Sequence, residues 1–133
     1  MLMPPVSRYM TMRPFTIAPT TSIADAHRVM IARKVRHLPV VGADGLCGVV
    51  SDRDLHIFES LSLGNSNEVP VADVMIANPC VVDPQTPLDE AVDMMAEQKI
   101  GSVVVVGKTG VAGIFTAVDA CAALAQVLRL ATA

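Results

Sequence analysis

The sequence consists of two copies of one unit. Residues 6–55 align without a gap to residues 71–120, at a constant offset of 65 positions. Identical pairs are spread over the whole match, and they include Met10 with Met75, Pro14 with Pro79, Pro19 with Pro84, Lys34 with Lys99, Gly48 with Gly113 and Asp54 with Asp119. Because chance does not hold register over such a length, the match indicates an internal duplication.

Both copies show the same order of hydrophobic patterns. A short β-prone run, at 15–18 and 80–83, is followed by apolar residues at helical spacing, which in the second copy starts with Thr86 as an expected cap and Pro87 in the first turn. Two apolar runs separated by glycines then predict a hairpin, at 38–50 and 103–115, and a final helix follows at 52–61 and 118–130. The predicted fold is α/β (α+β), with two β-α-β-β-α repeats.

The repeats are expected over 6–63 and 70–130, with a polar joint at 64–69. Each repeat is too short to bury a robust core alone. We therefore expect the two repeats to pack with pseudo-two-fold symmetry, which creates grooves where small ligands bind.

Composition excludes several classes of protein. With 52% hydrophobic and 17% charged residues, the chain is a globular protein. A net charge of −3 without a basic run argues against binding nucleic acid. No apolar run approaches the roughly 18 residues of a membrane span, and the N-terminus lacks the pattern of a signal peptide.

Neither the cysteines nor any short motif suggests catalysis. Cys47, Cys80 and Cys121 form no Cys-x-x-Cys pair, so we expect small core residues in a reducing, cytoplasmic compartment. The sequence has no nucleophile elbow, phosphate-binding loop or zinc-protease motif. His27 and His56 lie on predicted helices without a second ligand at useful spacing. The expectation is a protein that is not an enzyme and holds no metal.

Two strings in the repeated unit point to a family. Arg-His-Leu-Pro-Val-Val at 36–41 and Val-Ser-Asp-Arg-Asp-Leu at 50–55 closely resemble the cystathionine-β-synthase (CBS) domain, and the resemblance covers about 6–124. Tandem pairs of this family are Bateman modules. The resemblance implies a regulatory ligand rather than a cofactor: AMP, ADP, ATP, an NAD-type compound or S-adenosylmethionine. It also implies a homodimer that controls an unidentified effector protein.

The Ser/Thr-x-x-Asp motif occurs at the start of each final helix. It is Ser51 to Asp54 in the first repeat and Thr116 to Asp119 in the second. The resemblance implies that the carboxylate accepts hydrogen bonds from the ribose hydroxyls, while the Ser or Thr hydroxyl reaches the ribose or a phosphate. The same four residues are also a helix-capping pattern, and the two roles are compatible.

In the family, each groove joins this motif to residues of the other repeat. The resemblance therefore implies one groove of Thr116, Asp119, Phe15, Thr16, Val35, Arg36 and His37, and a second of Ser51, Asp54, Cys80, Val81, Ile100, Gly101 and Ser102. The first groove is favoured because Arg36 can pair with phosphate and His37 can add a donor or a partial charge. Alternatively, Arg36 and His37 form a solvated edge.

Two functions remain open at this point. The chain is either a nucleotide sensor that acts on its effector in trans, or a non-catalytic assembly module with vestigial grooves. Retention of both Asp54 and Asp119 favours the sensor.

Overall fold

The computed structural model describes residues 2–133. Among these residues there are four helices: α1 (Ile23–Arg33), α2 (Asp52–Ser60), α3 (Leu88–Gln98) and α4 (Ala117–Thr132). The described part of the chain also contains seven strands: β1 (Thr11–Met12), β2 (His37–Gly42), β3 (Gly45–Ser51), β4 (Ile76–Ala77), β5 (Val81–Val82), β6 (Ser102–Gly107) and β7 (Gly110–Thr116). Single turns of 3₁₀-helix occupy Val6–Arg8 and Val71–Asp73. The mixed composition of helices and strands confirms the predicted α+β class.

The chain forms two compact units that do not follow the limits of the repeats. One unit comprises Phe15–Pro79, and the other comprises the residues up to Pro14 together with Cys80–Ala133. The opening segment of each repeat thus belongs to the unit that holds the hairpin of the other repeat. Accordingly, β4 pairs with β3, and β1 pairs with β7.

The unit Phe15–Pro79 contains a three-stranded sheet in the order β2-β3-β4. The β2–β3 hairpin places His37 opposite Ser51 and Gly42 opposite Gly45. The strand expected at 15–18 is reduced to one parallel bridge between Ile17 and Val40. The core of this unit packs both helices on the sheet and consists of Ile17, Ile23, Ala26, Met30, Leu38, Val40, Val50, Leu55, Phe58 and Val71.

The second unit has a four-stranded sheet in the order β1-β7-β6-β5. Here the expected first strand does form, since β5 runs parallel to β6. Its core is again aliphatic, apart from one phenylalanine, and consists of Val6, Val82, Leu88, Ala91, Met95, Val103, Val105, Phe115 and Ala123. Cys121 is exposed, so the expectation that all three cysteines are core residues was wrong for this one. It lies on a face of α4 that its own unit leaves uncovered.

The helix starts differ from the expected pattern at one position. Ser22 caps α1 by accepting a hydrogen bond from the Asp25 N–H. At α3 the expected Thr86 cap is wrong, because the helix begins after Pro87 and the Thr86 hydroxyl accepts instead from the Asp83 N–H. The Thr86 hydroxyl is therefore bonded within the turn before Pro87 and does not cap α3.

A glycine lies where each short strand, β1 or β4, pairs with the neighbouring hairpin. A Cβ on Gly113 would overlap the Met10 sulfur and stand 2.9 Å from the Thr11 carbonyl oxygen, and Gly48 has the same relation to Met75 and Ile76. Because neither backbone could approach so closely over a side chain, the two glycines permit the pairing of β1 with β7 and of β4 with β3. Through this pairing, Thr11 comes to lie opposite Ile114.

Candidate functional site

The second-repeat motif forms a closed capping box at the start of α4. The Asp119 N–H donates to Thr116 Oγ1 at 3.4 Å, and the Thr116 N–H donates to Asp119 Oδ2 at 3.0 Å. The motif stands at the junction of β7 and α4, which fixes the carboxylate beside the free N–H groups of the first helical turn. The capping interpretation of these residues is therefore confirmed.

The first-repeat motif has the same geometry at the start of α2. The Ser51 N–H donates to Asp54 Oδ2 at 2.8 Å, and the Asp54 N–H donates to Ser51 Oγ at 3.2 Å. Within residues 2–133, Oδ1 of Asp54 receives no hydrogen bond. A carboxylate can accept several donors, so capping leaves this oxygen available to a ligand hydroxyl.

Thr11 distinguishes the second carboxylate from the first. Its hydroxyl lies 3.4 Å from both Oδ1 and Oδ2 of Asp119, because β1 runs beside β7. The equivalent residue of the other repeat is Ile76, which has no hydroxyl. Thr11 was not among the predicted site residues, although the difference between positions 11 and 76 at the offset of 65 distinguishes the two repeats. Thr11 orients the Asp119 carboxylate while leaving it accessible.

The first-repeat residues expected to face Asp119 share the unit Phe15–Pro79. Phe15, Thr16 and Arg36 are exposed, and Val35 and His37 are partly buried. The Phe15 ring lies under the guanidinium of Arg33, 4.3 Å from its centroid, an arrangement that holds both side chains by a cation–π interaction. The Arg36 carbonyl accepts from the Asp52 N–H at 2.9 Å, so this segment adjoins the start of α2.

The electrostatics of His37 are set mainly by burial. Burial lowers the pKa of His37 below its ordinary value and Arg36 acts in the same direction, while Asp52 and Asp54 oppose the shift. His37 is therefore a neutral hydrogen-bonding group at pH 7, and Arg36 carries the positive charge of this segment.

The residues expected to face Asp54 lie in the other unit and carry no charge. Ser102 is buried, Cys80 and Ile100 are partly buried, and Val81 and Gly101 are exposed. The Gly101 carbonyl accepts from the Ala117 N–H at 3.0 Å, the counterpart of the Arg36–Asp52 bond. Each unit thus assembles its own residues as expected, whereas the pairing of residues across the repeats stays a prediction.

A cavity of about 190 Å³ lies beside Asp54. Its walls are apolar apart from that carboxylate, and they consist of Ile57, Phe58, Leu63 and Val74. The cavity therefore lies beside Asp54, whereas the sequence favoured the groove of Asp119 because Arg36 and His37 were expected there. At this volume the cavity is smaller than typical ligand pockets of about 300–1,000 Å³, so it borders the Asp54 carboxylate without enclosing a nucleoside.

The structure also bears on metal sites and membrane spans. In the described part of the chain, no group of three or more His, Cys, Asp or Glu side chains could hold a metal ion. None of the helices within residues 2–133 combines the length and the apolar character needed to cross a membrane.

These features define a class: a tandem α+β repeat protein in which each central hairpin runs into a helix begun by Ser/Thr-x-x-Asp. The CBS domain model matches residues 6–58 and 71–126. The chain belongs to the CBS domain family, which confirms the resemblance seen in the sequence.

Solved structures and curated relatives agree with this assignment. A protein of Vibrio cholerae described as an acetoin utilization protein, AcuB, superposes with a TM-score of 0.82 at 38% identity, covering 98% of this chain and 97% of that one. CBSX2 of Arabidopsis thaliana, solved in complex with AMP, gives a TM-score of 0.77 at 31% identity over 93% of this chain and 98% of that one.

Among curated proteins, the inosine-5'-monophosphate dehydrogenase of Thermoplasma acidophilum is 34% identical over 106 residues, which are 79% of this chain and 20% of the dehydrogenase. The chain thus spans about a fifth of the length of the dehydrogenases that it matches.

Proposed function

We propose that this protein is a regulatory module that binds an adenosine-containing nucleotide and acts on an effector protein in trans. The observation that carries the proposal is the pair of carboxylates, Asp54 and Asp119, each fixed at a helix start by its own capping box. Such a carboxylate can accept the two hydroxyls of a ribose, and the helix start attracts an anion.

AMP is the first candidate ligand because CBSX2, at 31% identity, was solved with AMP. ADP, ATP, NAD-type compounds and S-adenosylmethionine follow. We propose that the ligand meets Thr116 and Asp119 from one side and Arg36 and His37 from the other, with Arg36 pairing with phosphate. The Asp54 groove, which has the cavity but no equivalent of Arg36, is proposed as the second site.

We also propose that the module has no catalytic activity of its own and functions in the cytoplasm. Cys47, Cys80 and Cys121 are all free thiols, as expected in a reducing compartment. The match to the dehydrogenases concerns only about a fifth of those enzymes, so their chemistry is not part of the proposal.

A second candidate function is supported by the same capping boxes. Since capping alone accounts for a carboxylate at both helix starts, the module could serve assembly with vestigial grooves.

Thermal unfolding with and without ligand separates the two functions. If the protein is a sensor, AMP or another adenosine ligand raises the unfolding midpoint, because binding to the folded state alone stabilises it by about 2.7 kcal/mol at a hundred times Kd. GMP and CMP serve as controls and should raise the midpoint less. An unchanged midpoint with millimolar AMP, ADP, ATP, NAD and S-adenosylmethionine would favour the assembly function.

A further inference from the structure

The two carboxylates of the proposed nucleotide sites are held to different degrees. Oδ2 of Asp119 accepts from the Thr116 N–H at 3.0 Å and also lies 3.2 Å from the Thr116 hydroxyl. The Thr11 hydroxyl adds a contact of 3.4 Å to each oxygen of the same carboxylate. In the part of the chain that the structure describes, the Asp54 carboxylate accepts only from the Ser51 N–H. Asp119 is therefore held from two sides, and Asp54 from one.

The register of the short strands accounts for this difference. β1 places Thr11 opposite Ile114 of β7, and β4 places Ile76 opposite Val49 of β3. Thr11 is equivalent to Ile76 at the offset of 65, and Ile114 is equivalent to Val49. Because the strand pairing matches in the two units, the difference at this position lies in the side chain. A hydroxyl stands beside Asp119, where the other repeat has an aliphatic chain.

A fixed carboxylate discriminates more strictly among ligand hydroxyls than a carboxylate that can turn. A ribose offers two hydroxyl donors, and a 2′-deoxyribose offers one. When a donor is missing, a carboxylate that is free to turn bonds to water instead. A carboxylate held by protein donors keeps its orientation, so one acceptor is left unpaired and binding is weakened. This contrast applies to Asp119 and Asp54.

We propose that Thr11 is a positioning residue that makes the Asp119 site select ribose over 2′-deoxyribose. The Asp54 site, with Ile76 at the equivalent position, is the more tolerant of the two. The inference rests on the proposed function, in which Asp119 accepts the ribose hydroxyls. Thr11 acts through the orientation of that carboxylate, and it defines the ligand class of this site as ribonucleotides.

Calorimetric titration with AMP and with 2′-deoxy-AMP tests the proposal. Asp54→Ala serves as the reference protein, because it leaves Asp119 as the one carboxylate of the pair. We expect the reference protein to bind 2′-deoxy-AMP at least roughly tenfold more weakly than AMP, since a hydrogen bond to a charged group is lost. Adding Thr11→Val, which removes the hydroxyl and keeps the branched shape, should reduce this ratio at least about threefold. Adding Thr11→Ser keeps the hydroxyl and should preserve the ratio.

Two further variants sharpen the test. Thr109→Val removes an exposed hydroxyl from the turn between β6 and β7 and should leave the ratio unchanged. Ile76→Thr, made together with Asp119→Ala, places a hydroxyl at the position equivalent to Thr11 and should raise the ratio at the Asp54 site. Because both ligands bind the same folded protein, a change in stability cancels in the ratio. Circular dichroism establishes that each variant is folded.

The outcomes separate this inference from the proposed function. An equal ratio in the reference protein and after Thr11→Val, with saturable AMP binding in both, would overturn the role of Thr11 and leave the proposed function standing. Binding that Asp54→Ala abolishes would also overturn that role, because the nucleotide would then depend on the other carboxylate. An absence of AMP binding by the parent protein would overturn this inference together with AMP as the ligand.

Discussion

Asp54 and Asp119 show how one residue can serve both the fold and a ligand. One oxygen of each carboxylate accepts a hydrogen bond from the N–H of its own capping residue. Capping therefore uses only part of the accepting capacity of the carboxylate. The two carboxylates differ in the residue that the short strand brings beside the hairpin. Thr11 donates a hydrogen bond to Asp119, whereas the equivalent residue beside the first hairpin is Ile76, which has no hydroxyl. We infer that Asp119 is held in one orientation, while Asp54 has more freedom and borders the cavity.

His37 gives the free energy of unfolding a measurable dependence on pH. Burial holds its pKa in the folded protein below the ordinary value, so the unfolded chain takes up the proton first as pH falls. We expect the free energy of unfolding to decrease as pH falls below about 6.5, toward the lower pKa of the folded state. The substitution His37→Gln should remove this part of the dependence.

Urea unfolding curves between about pH 7.5 and pH 5, within the window set by the histidine pKa, provide the measurement. His56→Gln changes an exposed histidine and is the control. The same pH slope in His37→Gln and the parent protein would contradict the role assigned to burial.

Among the elements, the short strands β1 and β4 depend on Gly113 and Gly48, which let them approach the hairpins closely. Gly113→Ala would drive a Cβ against the Thr11 carbonyl oxygen and should separate β1 from β7, with a loss of about 1–3 kcal/mol in the free energy of unfolding. Gly107→Ala is the matched control, because its Cβ meets only ordinary contacts, the nearest at 3.6 Å. Chemical denaturation gives the free energy of unfolding of both variants. Equal values would contradict the close approach of β1 to Gly113.

The sequence predicted the elements that carry a periodic pattern and missed those that do not. The hairpins and helices repeat at a fixed offset with apolar spacing, and the structure places them within a few residues of the expected bounds. By contrast, β1 and β4 are two residues long, too short for an alternating pattern. Their partners lie about a hundred and about thirty residues away along the chain, respectively, and such distant pairing leaves no local signal.

The candidate site divides in the same way. Capping at Ser51 and Thr116 follows from four adjacent residues and could be predicted. The Thr11–Asp119 contact could not be predicted, because it joins residues 108 positions apart whose positions only the fold determines.

At the scale of the whole molecule, α4 exposes apolar surface that a partner copy would cover. Among its exposed side chains are Val118, Leu124, Leu128 and Leu130, each more than half accessible. Leu124 and Leu128 lie one turn apart on the same face of α4, and apolar surface of this kind is costly to leave in water, so we expect a homodimer. Sedimentation velocity at micromolar concentration should show the dimer, and Leu124→Glu with Leu128→Glu should weaken it if α4 contributes. A monomer at that concentration would rule out the expected assembly.

Calorimetric titration of AMP into the parent protein, Asp119→Ala and Asp54→Ala tests whether the two carboxylates bind a nucleotide. Loss of two charge-assisted hydrogen bonds, worth about 1.5–3 kcal/mol each before water compensates, should weaken binding at the affected site at least tenfold. Unfolding curves of the same variants separate this effect from the loss of a helix cap, which costs about 0.5–2 kcal/mol of stability. We expect saturable AMP binding that Asp119→Ala weakens far more than it weakens the fold. An unchanged affinity in Asp119→Ala with a lowered unfolding midpoint, or no binding by the parent protein, would contradict it.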